Sequence, residues 1–402
     1  MQLISDLDLP FLEIENPAYV TNPWPFFAEA RKHHPWLANT NFGYYVHGYE
    51  ALKAISLQPD GIKGDFSKIV AYYGVEGTDW AKFQVEQLLG ISGDKHRRIR
   101  ASVGDAFTPR NVNKHLDRIR RNCRELLDQW TTSGEVDFAE FASYFPISVL
   151  CAVMGTPTDE VPRLRHSLET QTKVASMDRA IVPDLLEGYT IMAEFCDRLV
   201  AERKASGRND GDLLDHLIGC QTSGKIDEEE LRYLLMILFP AGYDTSKNIM
   251  SLICYHLLDR PEMWQRCAAD VDYAYKVTDE MLRFNTVASP MRQTMRDIDY
   301  DGVRIPAGTG LILGLVAAGR DDKAFIDAEA FKPERTDTNR HVAFGRGAHI
   351  CLGQHLARTQ IAEGIHLMAQ RITNPRRAGK VVWRPFMGVW GIESLPIAFD
   401  PA

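Results

Sequence analysis

A short loop near the C-terminus carries one cysteine among several glycines. The loop spans residues 344–353 and places Cys351 between Gly347 and Gly353. A helical pattern of apolar residues starts directly behind it, so the sulfur would face the positive end of a helix, which lowers a thiol pKa. The glycines let a flat, bulky group approach the sulfur closely. A thiolate in this position suits the axial ligand of a haem iron, whereas a lone cysteine would more simply be a buried core residue.

A long apolar helix is predicted in the middle of the chain. Asp227 and Glu230 have the spacing of a capping box, and Ile226 and Leu231 can form a hydrophobic staple. The helical pattern continues to about Leu258, which gives roughly 45 Å of helix at about 1.5 Å per residue. Because the pattern is apolar nearly all round, we expect this helix to cross the centre of the protein.

The centre of this helix contains three residues that oppose helix formation or burial. Pro240 in a helix interior costs about 3 kcal/mol or more, and Gly242 about 1 kcal/mol. Asp244 is costly to bury unless it is paired or hydrogen-bonded. Together they indicate a functional kink. The alternatives are a tolerated irregularity or a break between two shorter helices.

The cysteine loop resembles the haem-binding loop of the cytochrome P450 family, Phe-x-x-Gly-x-x-x-Cys-x-Gly. Phe344, Gly347, Cys351 and Gly353 match this motif. His349 matches the residue that bonds a haem propionate in soluble bacterial members. The resemblance implies haem b as the cofactor, Cys351 as the ligand of its iron, and Phe344, His349 and Gly353 as cofactor-binding residues.

The centre of the long helix resembles the oxygen-activation motif of the same family, Ala/Gly-Gly-x-Asp/Glu-Thr. Ala241, Gly242, Asp244 and Thr245 match it. In the family the kink opens a groove for dioxygen, which implies that Ala241 and Gly242 border the cofactor. Asp244 and Thr245 would be the catalytic residues, because a short alcohol and a gated carboxylate form a general-acid relay. Pro240 is a departure whose role the resemblance does not explain.

Haem carries two propionates, so its pocket needs cations or hydrogen-bond donors at the rim. His96 and Arg100 are four residues apart and share one helix face. Arg292 lies nine residues beyond Arg283, where bacterial members keep a propionate-binding arginine. Each of these residues alone would more simply be an exposed basic side chain, but with His349 their joint spacing favours a propionate site.

A structural ion pair is also implied by the resemblance. Glu280 and Arg283 match the Glu-x-x-Arg pair of the family, and Arg335 offers a third partner. Such a pair is a weak motif, because most pairs at this spacing are solvated. Its place between the long helix and the cysteine loop follows the family order, so we expect a triad that stabilises the haem-binding core.

The remaining pattern predicts a protein that is mainly α with a minor β region. Helices are expected at 25–31 and 49–56 and throughout most of 94–372, and strands at 44–46, 297–315 and 381–399. Residues 1–402 are predicted to form a single-domain cytochrome P450 fold with the long central helix over the haem.

Composition narrows the functional classes. The net charge of −8 argues against nucleic-acid binding. Seven scattered cysteines without a CxxC motif fit a reducing compartment. There is no pattern of a signal peptide, and no stretch has the roughly 18 apolar residues of a spanning helix. We therefore expect a cytoplasmic monomer without a membrane anchor.

The predicted activity is that of a haem-thiolate monooxygenase, which inserts one atom of dioxygen into a hydrophobic small molecule, most commonly by C–H hydroxylation. Electrons would come from a separate ferredoxin or flavodoxin. A peroxide-driven peroxygenase and a non-catalytic haem sensor or carrier are the alternatives. By family position, the substrate pocket would be lined by residues 66–89, 177–186, Leu238, Ala241, 287–291 and 387–392.

Four arginines could form a basic patch on the cysteine side where the electron donor docks, or they could be ordinary surface residues. They are Arg97, Arg98, Arg346 and Arg358.

Overall fold

Helices form most of the protein, and strands form four small sheets. The computed structural model describes residues 1–401. The mainly α class with a minor β region is confirmed. In these residues the α-helices are α1 (Ala18–Thr21), α2 (Trp24–His33), α3 (Tyr49–Ser56), α4 (Phe66–Tyr73), α5 (Asp79–Glu86), α6 (Gly93–Gly104), α7 (Pro109–Lys114), α8 (Leu116–Trp130), α9 (Phe138–Met154), α10 (Val161–Thr172), α11 (Val182–Ser206), α12 (Leu213–Thr222), α13 (Glu228–Leu257), α14 (Pro261–Ala269), α15 (Val271–Phe284), α16 (Leu315–Ala318) and α17 (Gln354–Arg371).

The strands pair across long stretches of sequence. The strands are β1 (Gln2–Leu3), β2 (Leu37–Thr40), β3 (Gly43–Val46), β4 (Ile62–Gly64), β5 (Glu135–Asp137), β6 (Met291–Thr294), β7 (Ile298–Tyr300), β8 (Val303–Ile305), β9 (Gly310–Leu313), β10 (Ile372–Arg377), β11 (Val382–Trp383), β12 (Ile392–Ser394) and β13 (Pro396–Pro401). The largest sheet has the order β2-β3-β9-β6-β4, in which β3 and β9 are parallel and Tyr44 faces Leu311. The smaller sheets have the orders β1-β8-β7, β10-β13-β5 and β11-β12.

The strand region that was predicted to start at residue 297 begins earlier, with β6. This strand pairs with β9 at Met291–Ile312 and with β4 at Ile62–Thr294. Sequence analysis also missed β5, whose only neighbour in its sheet is the C-terminal strand β13. Short strands of this kind form because distant partners complete their hydrogen bonds, which a local pattern does not show.

The central helix α13 begins and ends almost where the sequence predicts. Asp227 accepts a hydrogen bond from the Glu230 N–H at 2.8 Å, and Glu230 accepts one from the Asp227 N–H at 3.1 Å, which completes the capping box. The helix has 30 residues and is not interrupted at Pro240, so the alternative of two shorter helices is wrong. Gly242 has a packing role, because a Cβ there would lie 3.3 Å from the Leu150 side chain of α9.

The largest hydrophobic core surrounds α13. It includes buried side chains from α8, α9, α11, α15 and α17, which form layers on several sides of the central helix. A separate apolar cluster joins α4 and α5 to the start of α11. The largest core holds α13 and packs against the cysteine loop. The separate cluster brings together the 66–89 and 177–186 regions, which were predicted to line the substrate pocket.

Candidate functional site

The cysteine loop directly precedes α17 and is closed by a backbone hydrogen bond of its own. Cys351 N–H donates to the Phe344 carbonyl at 2.8 Å, which closes the loop. Gly347 has a φ of +73°, and a Cβ at this position would lie 2.0 Å from the Ser56 carbonyl oxygen. Glycine is therefore required at 347 by both the left-handed backbone and the close approach of α3.

Cys351 differs from the other cysteines in its exposure. It is the exposed member of the seven cysteines, while the others are buried. Burial by the surrounding protein nevertheless raises the pKa of the Cys351 thiol, and the Gly353 N–H and Arg100 act in the opposite direction. The predicted lowering of this pKa is therefore wrong for the protein chain alone, because desolvation outweighs the Gly353 N–H and Arg100.

Two further positions, one in the middle of α13 and one at the end of the cysteine loop, are not covered by neighbouring side chains. Ala241 is exposed although it lies in the middle of a central helix, whereas Pro240 and Tyr243 beside it are buried. A Cβ on Gly353 would meet no atom within 4 Å. Phe344 is partly buried and packs against the main core. The exposed sulfur and these openings fit a large flat group held against Cys351.

Basic groups gather beside the cysteine loop, as the sequence predicts. Arg100 Nη2 donates to the Ile350 carbonyl at 2.6 Å, which ties α6 to the residue before the cysteine. The rings of His96 and His349 are 4.4 Å apart. Burial lowers the pKa of His349 to about 3, and the neighbouring Arg292, His96 and Arg100 add to the effect. These side chains therefore form one cluster.

This cluster lacks a negative partner within residues 1–401. Arg292 is buried, burial lowers its pKa to about 10, and its guanidinium donates to the carbonyl of its neighbour Met291 at 3.1 Å. Arg292 Nε, His96 Nε2 and His349 Nδ1 are buried without hydrogen-bond partners. A buried cation and unsatisfied polar atoms are costly, so they fit a bound dianion such as the two propionates of haem.

Asp244 and Thr245 face different partners. Arg384 Nη1 lies 2.5 Å and 2.6 Å from the two carboxylate oxygens of Asp244, and Asn248 Nδ2 donates to the Asp244 backbone carbonyl at 2.8 Å. Thr245 Oγ1 donates to the Ala241 carbonyl at 3.1 Å. Among the described residues, no hydrogen bond joins the Asp244 and Thr245 side chains.

Arg384 is a residue that sequence analysis missed. It follows β11 in an apolar segment, and its side chain is only 3% exposed. The available signal was indirect: a buried aspartate in α13 requires a cation, and a lone arginine in an apolar segment requires an anion. The 140 residues between Arg384 and Asp244 hide this pairing from a local pattern.

The predicted structural triad is confirmed. Glu280 and Arg283 have fully buried side chains, and Arg335 Nε lies 2.9 Å from a Glu280 oxygen. Gly319 lies against the same group, because a Cβ there would be 1.8 Å from the Arg283 carbonyl oxygen. The triad thus fixes the chain between α15 and the cysteine loop.

The four arginines of the predicted docking patch are all engaged in contacts, three of them with carboxylates. Arg97 pairs with Asp60 at 2.8 Å and with Asp94 at 2.6 Å. Arg98 contacts a Glu230 oxygen at 2.7 Å. The other two arginines are also engaged: Arg358 pairs with Asp279 at 2.5 Å, and Arg346 donates to the His341 carbonyl at 3.1 Å. Carboxylates, partly from distant segments, therefore pair with three of these four arginines, and the docking patch stays a prediction.

The chain matches known proteins along almost its whole length. The family described as cytochrome P450 matches residues 73–373. Luteothin monooxygenase of Streptomyces thioluteus is 30% identical over 400 residues, which cover 98% of this chain and 97% of that protein. The biotin biosynthesis cytochrome P450 of Bacillus subtilis (strain 168) is 29% identical over 399 residues, or 95% of this chain and 97% of the relative.

Solved structures give the same result. The cytochrome P450 enzyme CxnD, described for C–S bond formation in chuangxinmycin biosynthesis, superimposes with a TM-score of 0.86 at 26% identity, and the match covers 98% of this chain and 99% of CxnD. Epothilone D-bound cytochrome P450epoK has a TM-score of 0.88 over 97% of this chain and 99% of that chain, and at 22% identity it shows the fold. Within residues 1–401, no helix combines the length and apolar character needed to cross a bilayer. The chain belongs to the cytochrome P450 family and is a P450 monooxygenase of the bacterial type.

Proposed function

We propose that this protein holds one haem b through Cys351 and inserts one atom of dioxygen into a hydrophobic small molecule, most commonly by hydroxylating a C–H bond. One observation carries the proposal. Cys351 is exposed, and near its loop buried atoms of Arg292, His96 and His349 have no hydrogen-bond partner within the described residues. When bound, the haem supplies the activation of dioxygen.

The protein's own residues hold and orient the cofactor. Cys351 supplies the thiolate ligand, and Arg100 steadies the loop through its 2.6 Å hydrogen bond to the Ile350 carbonyl. Arg292, His96 and His349 neutralise or bond the propionates, which would satisfy their buried polar atoms. Ala241 lies on α13 at an opening that lets the cofactor approach the helix closely.

Proton delivery is assigned to the middle of α13. Thr245 is a half-buried residue that carries a hydroxyl, and Asp244 is the nearest carboxylate along the helix. Within the described residues no hydrogen bond joins the two side chains, so Asp244 must move or a water must join them before a proton can pass. The control of this movement decides how protons are released.

The substrate class follows from apolar walls. An apolar cluster joins α4 and α5 to α11, and Tyr72 Oη donates to the Met177 carbonyl at 2.9 Å, which connects α4 to the start of the 177–186 region. Such walls favour a hydrophobic substrate. The buried members of this apolar cluster are Ile69, Val70, Tyr73, Val75, Trp80, Ala81 and Leu185. Electrons are expected from a separate ferredoxin or flavodoxin with its reductase, in accordance with the bacterial type.

The test begins with the cofactor. The purified protein should contain one haem per chain, and its reduced carbon monoxide complex should have the red-shifted Soret band of thiolate ligation. Cys351→Ala should lose this band, and a variant that keeps it contradicts the assignment of the ligand.

A second experiment distinguishes the three activities. NADH with a surrogate ferredoxin and reductase should convert hydrophobic compounds that shift the Soret band into products that carry one atom of isotopically labelled dioxygen. Conversion by hydrogen peroxide alone, without label from dioxygen, would instead identify a peroxygenase. Haem binding without turnover in either assay would identify a sensor or carrier.

A further inference from the structure

An arginine without an ion-pair partner lies in the segment between α10 and α11. Arg179 is exposed, and its guanidinium carbon lies 4.6 Å from the centre of the Tyr72 ring in α4, which is a cation–π contact. Among the residues that the structure describes, this guanidinium forms no ion pair and no hydrogen bond. The carboxylate of the preceding Asp178 instead accepts a hydrogen bond from the Ala180 N–H at 2.9 Å. The positive charge of Arg179 is therefore available to an anionic ligand.

The backbone beside Arg179 is held in an unusual conformation. Met177 has a φ of +58°, in the left-handed region that residues other than glycine rarely occupy. Two tyrosines of α4 fix this chain segment: Tyr73 Oη donates to the Val174 carbonyl at 2.8 Å, and Tyr72 Oη donates to the Met177 carbonyl at 2.9 Å. Such strain persists only where surrounding contacts hold it, and it is common at ligand-binding sites. Tyr72 thus fixes the segment with its hydroxyl and the guanidinium with its ring, which preorganises Arg179.

The same segment borders the apolar regions that were predicted to line the substrate pocket. Met177 is partly buried and packs against two apolar clusters. One cluster joins α4, α5 and the start of α11, and the other contains side chains of α2, β3 and β9. Met291, at the start of β6, contacts both clusters in the same way. The segment therefore offers apolar contacts at Met177 and a solvated cation two residues later, which matches a ligand with an apolar body and one charged end.

The other cations near this segment are already compensated. Lys68 of α4 pairs with Asp65 at 3.2 Å, and Lys173 at the end of α10 pairs with Glu393 at 3.4 Å. Of these three cations, Arg179 is the one without a carboxylate in the described residues. A planar guanidinium can donate two parallel hydrogen bonds to a carboxylate, which a lysine ammonium cannot do. Because the chain has a net charge of −8, an anionic ligand needs such a local cation in order to bind.

We propose that Arg179 is a specificity-determining residue that binds the carboxylate of an amphipathic substrate, whose apolar body enters between α4 and the start of α11 while Tyr72 holds the guanidinium in place. The inference rests on the proposed monooxygenase function and deepens it, because it names the substrate class as a hydrophobic carboxylic acid. The contact orients the substrate, and no bond of the substrate forms or breaks in this step.

The test compares acids with alcohols of the same skeleton. The pairs are dodecanoic acid with dodecanol, and phenylbutyric acid with phenylbutanol. Calorimetry on the holoprotein measures the dissociation constants, and the Soret shift is a second readout. At least one acid should bind about tenfold more tightly than its alcohol, as a charge-assisted hydrogen bond predicts. High salt should reduce this ratio, because the contact is exposed. A ratio near one in both pairs, or no binding by any of the compounds, overturns the proposal.

Variants then assign the preference to this arginine. Arg179→Gln should bring the acid-to-alcohol ratio close to one, while the affinity for the alcohol and Tm remain close to wild type. Arg179→Lys should keep part of the preference, because it keeps the charge without the planar fork. Tyr72→Leu should also weaken the preference, because the guanidinium is no longer held. Arg208→Gln, which removes an exposed arginine paired with Asp210 beyond the far end of α11, is the control and should leave the ratio unchanged. An acid preference that survives in Arg179→Gln overturns the proposal.

A test on wild type alone covers the case in which Arg179→Gln does not fold. The trimethylammonium analogue of the preferred acid reverses the charge of the ligand and should bind more weakly than the alcohol; tighter binding contradicts the proposal. Holoprotein that has the thiolate carbon monoxide band and binds the alcohols without preferring the acids overturns this inference and leaves the proposed function intact. Wild-type protein without that band overturns the proposed function itself.

Discussion

Glu280 and Arg283 form an ion pair of 2.7 Å in which both side chains are fully buried. Arg335 adds a second cation at 2.9 Å. Arg283 also donates to the carbonyls of Gly319 and Ala328, each at 2.8 Å. The charges of the three side chains are paired with one another, and Arg283 also satisfies two backbone carbonyls. The triad therefore fixes the position of the segment between α15 and the cysteine loop.

Removal of either partner of this pair should prevent normal folding. Glu280→Ala or Arg283→Ala leaves a buried charge unpaired, which costs about 3–5 kcal/mol. We expect misfolded or haem-free protein, measured by holoprotein yield and the free energy of unfolding. Arg304→Ala is the matched control, because it breaks an exposed 2.9 Å pair with Asp299 and should cost about 0–1 kcal/mol. Folded holoprotein of normal stability from both buried variants would contradict this prediction.

Arg292→Met should change the apoprotein and the holoprotein in opposite directions. In the apoprotein, Arg292 is a buried cation without a carboxylate partner in the described residues, so its removal should leave stability unchanged or higher. Haem should nevertheless dissociate faster, because a propionate partner is lost. Transfer of haem to apomyoglobin measures this rate, and Arg296→Met, which changes an exposed neighbour, is the control. Unchanged haem release would remove Arg292 from the propionate site.

Local patterns in the sequence were enough to predict some parts of this structure. The capping box of Asp227 and Glu230 locates the start of α13, because both partners lie in one helical turn. The triad of Glu280, Arg283 and Arg335 was also predicted, although its third member is distant, because the resemblance to the family supplied its place.

Other features depend on contacts that a single sequence does not reveal. Asp60 neutralises Arg97 from 37 residues away, a pairing that a local pattern in the sequence does not show. Arg384 reaches Asp244 across 140 residues. The predicted pKa of Cys351 was also in the wrong direction, because the helix end is a local feature while desolvation depends on the whole surrounding fold.

The stability of the central helix should depend on pH through Glu230. Its hydrogen bond to Arg98, the largest cause, lowers the pKa of Glu230 below its usual value of 4.5. Because the folded-state pKa is the lower one, the stabilisation is present above about pH 4.5 and is lost as the pH falls through the folded-state value. Glu230→Gln should therefore lower Tm at pH 7, with a difference from wild type that shrinks in acid. Glu228→Gln, an exposed neighbour, should have a much smaller effect, and an equal effect at all pH values would contradict the role of Glu230.

Thr245→Ala should separate proton control from structure. The change removes a hydroxyl that donates to the Ala241 carbonyl at 3.1 Å, so haem content and Tm should remain close to wild type. NADH should still be consumed with a surrogate ferredoxin and reductase, but a larger fraction should end as hydrogen peroxide and a smaller fraction as product, because protons are no longer directed. Thr278→Ala is the matched control, since it removes the same type of bond, to the Ala274 carbonyl at 2.8 Å, from the buried interior of α15.

Asp244→Asn should instead slow NADH consumption, because the group that supplies protons is gone while its shape remains. One assay of NADH, peroxide and product tests both variants, and wild-type rate and coupling in both would show that the centre of α13 does not manage protons.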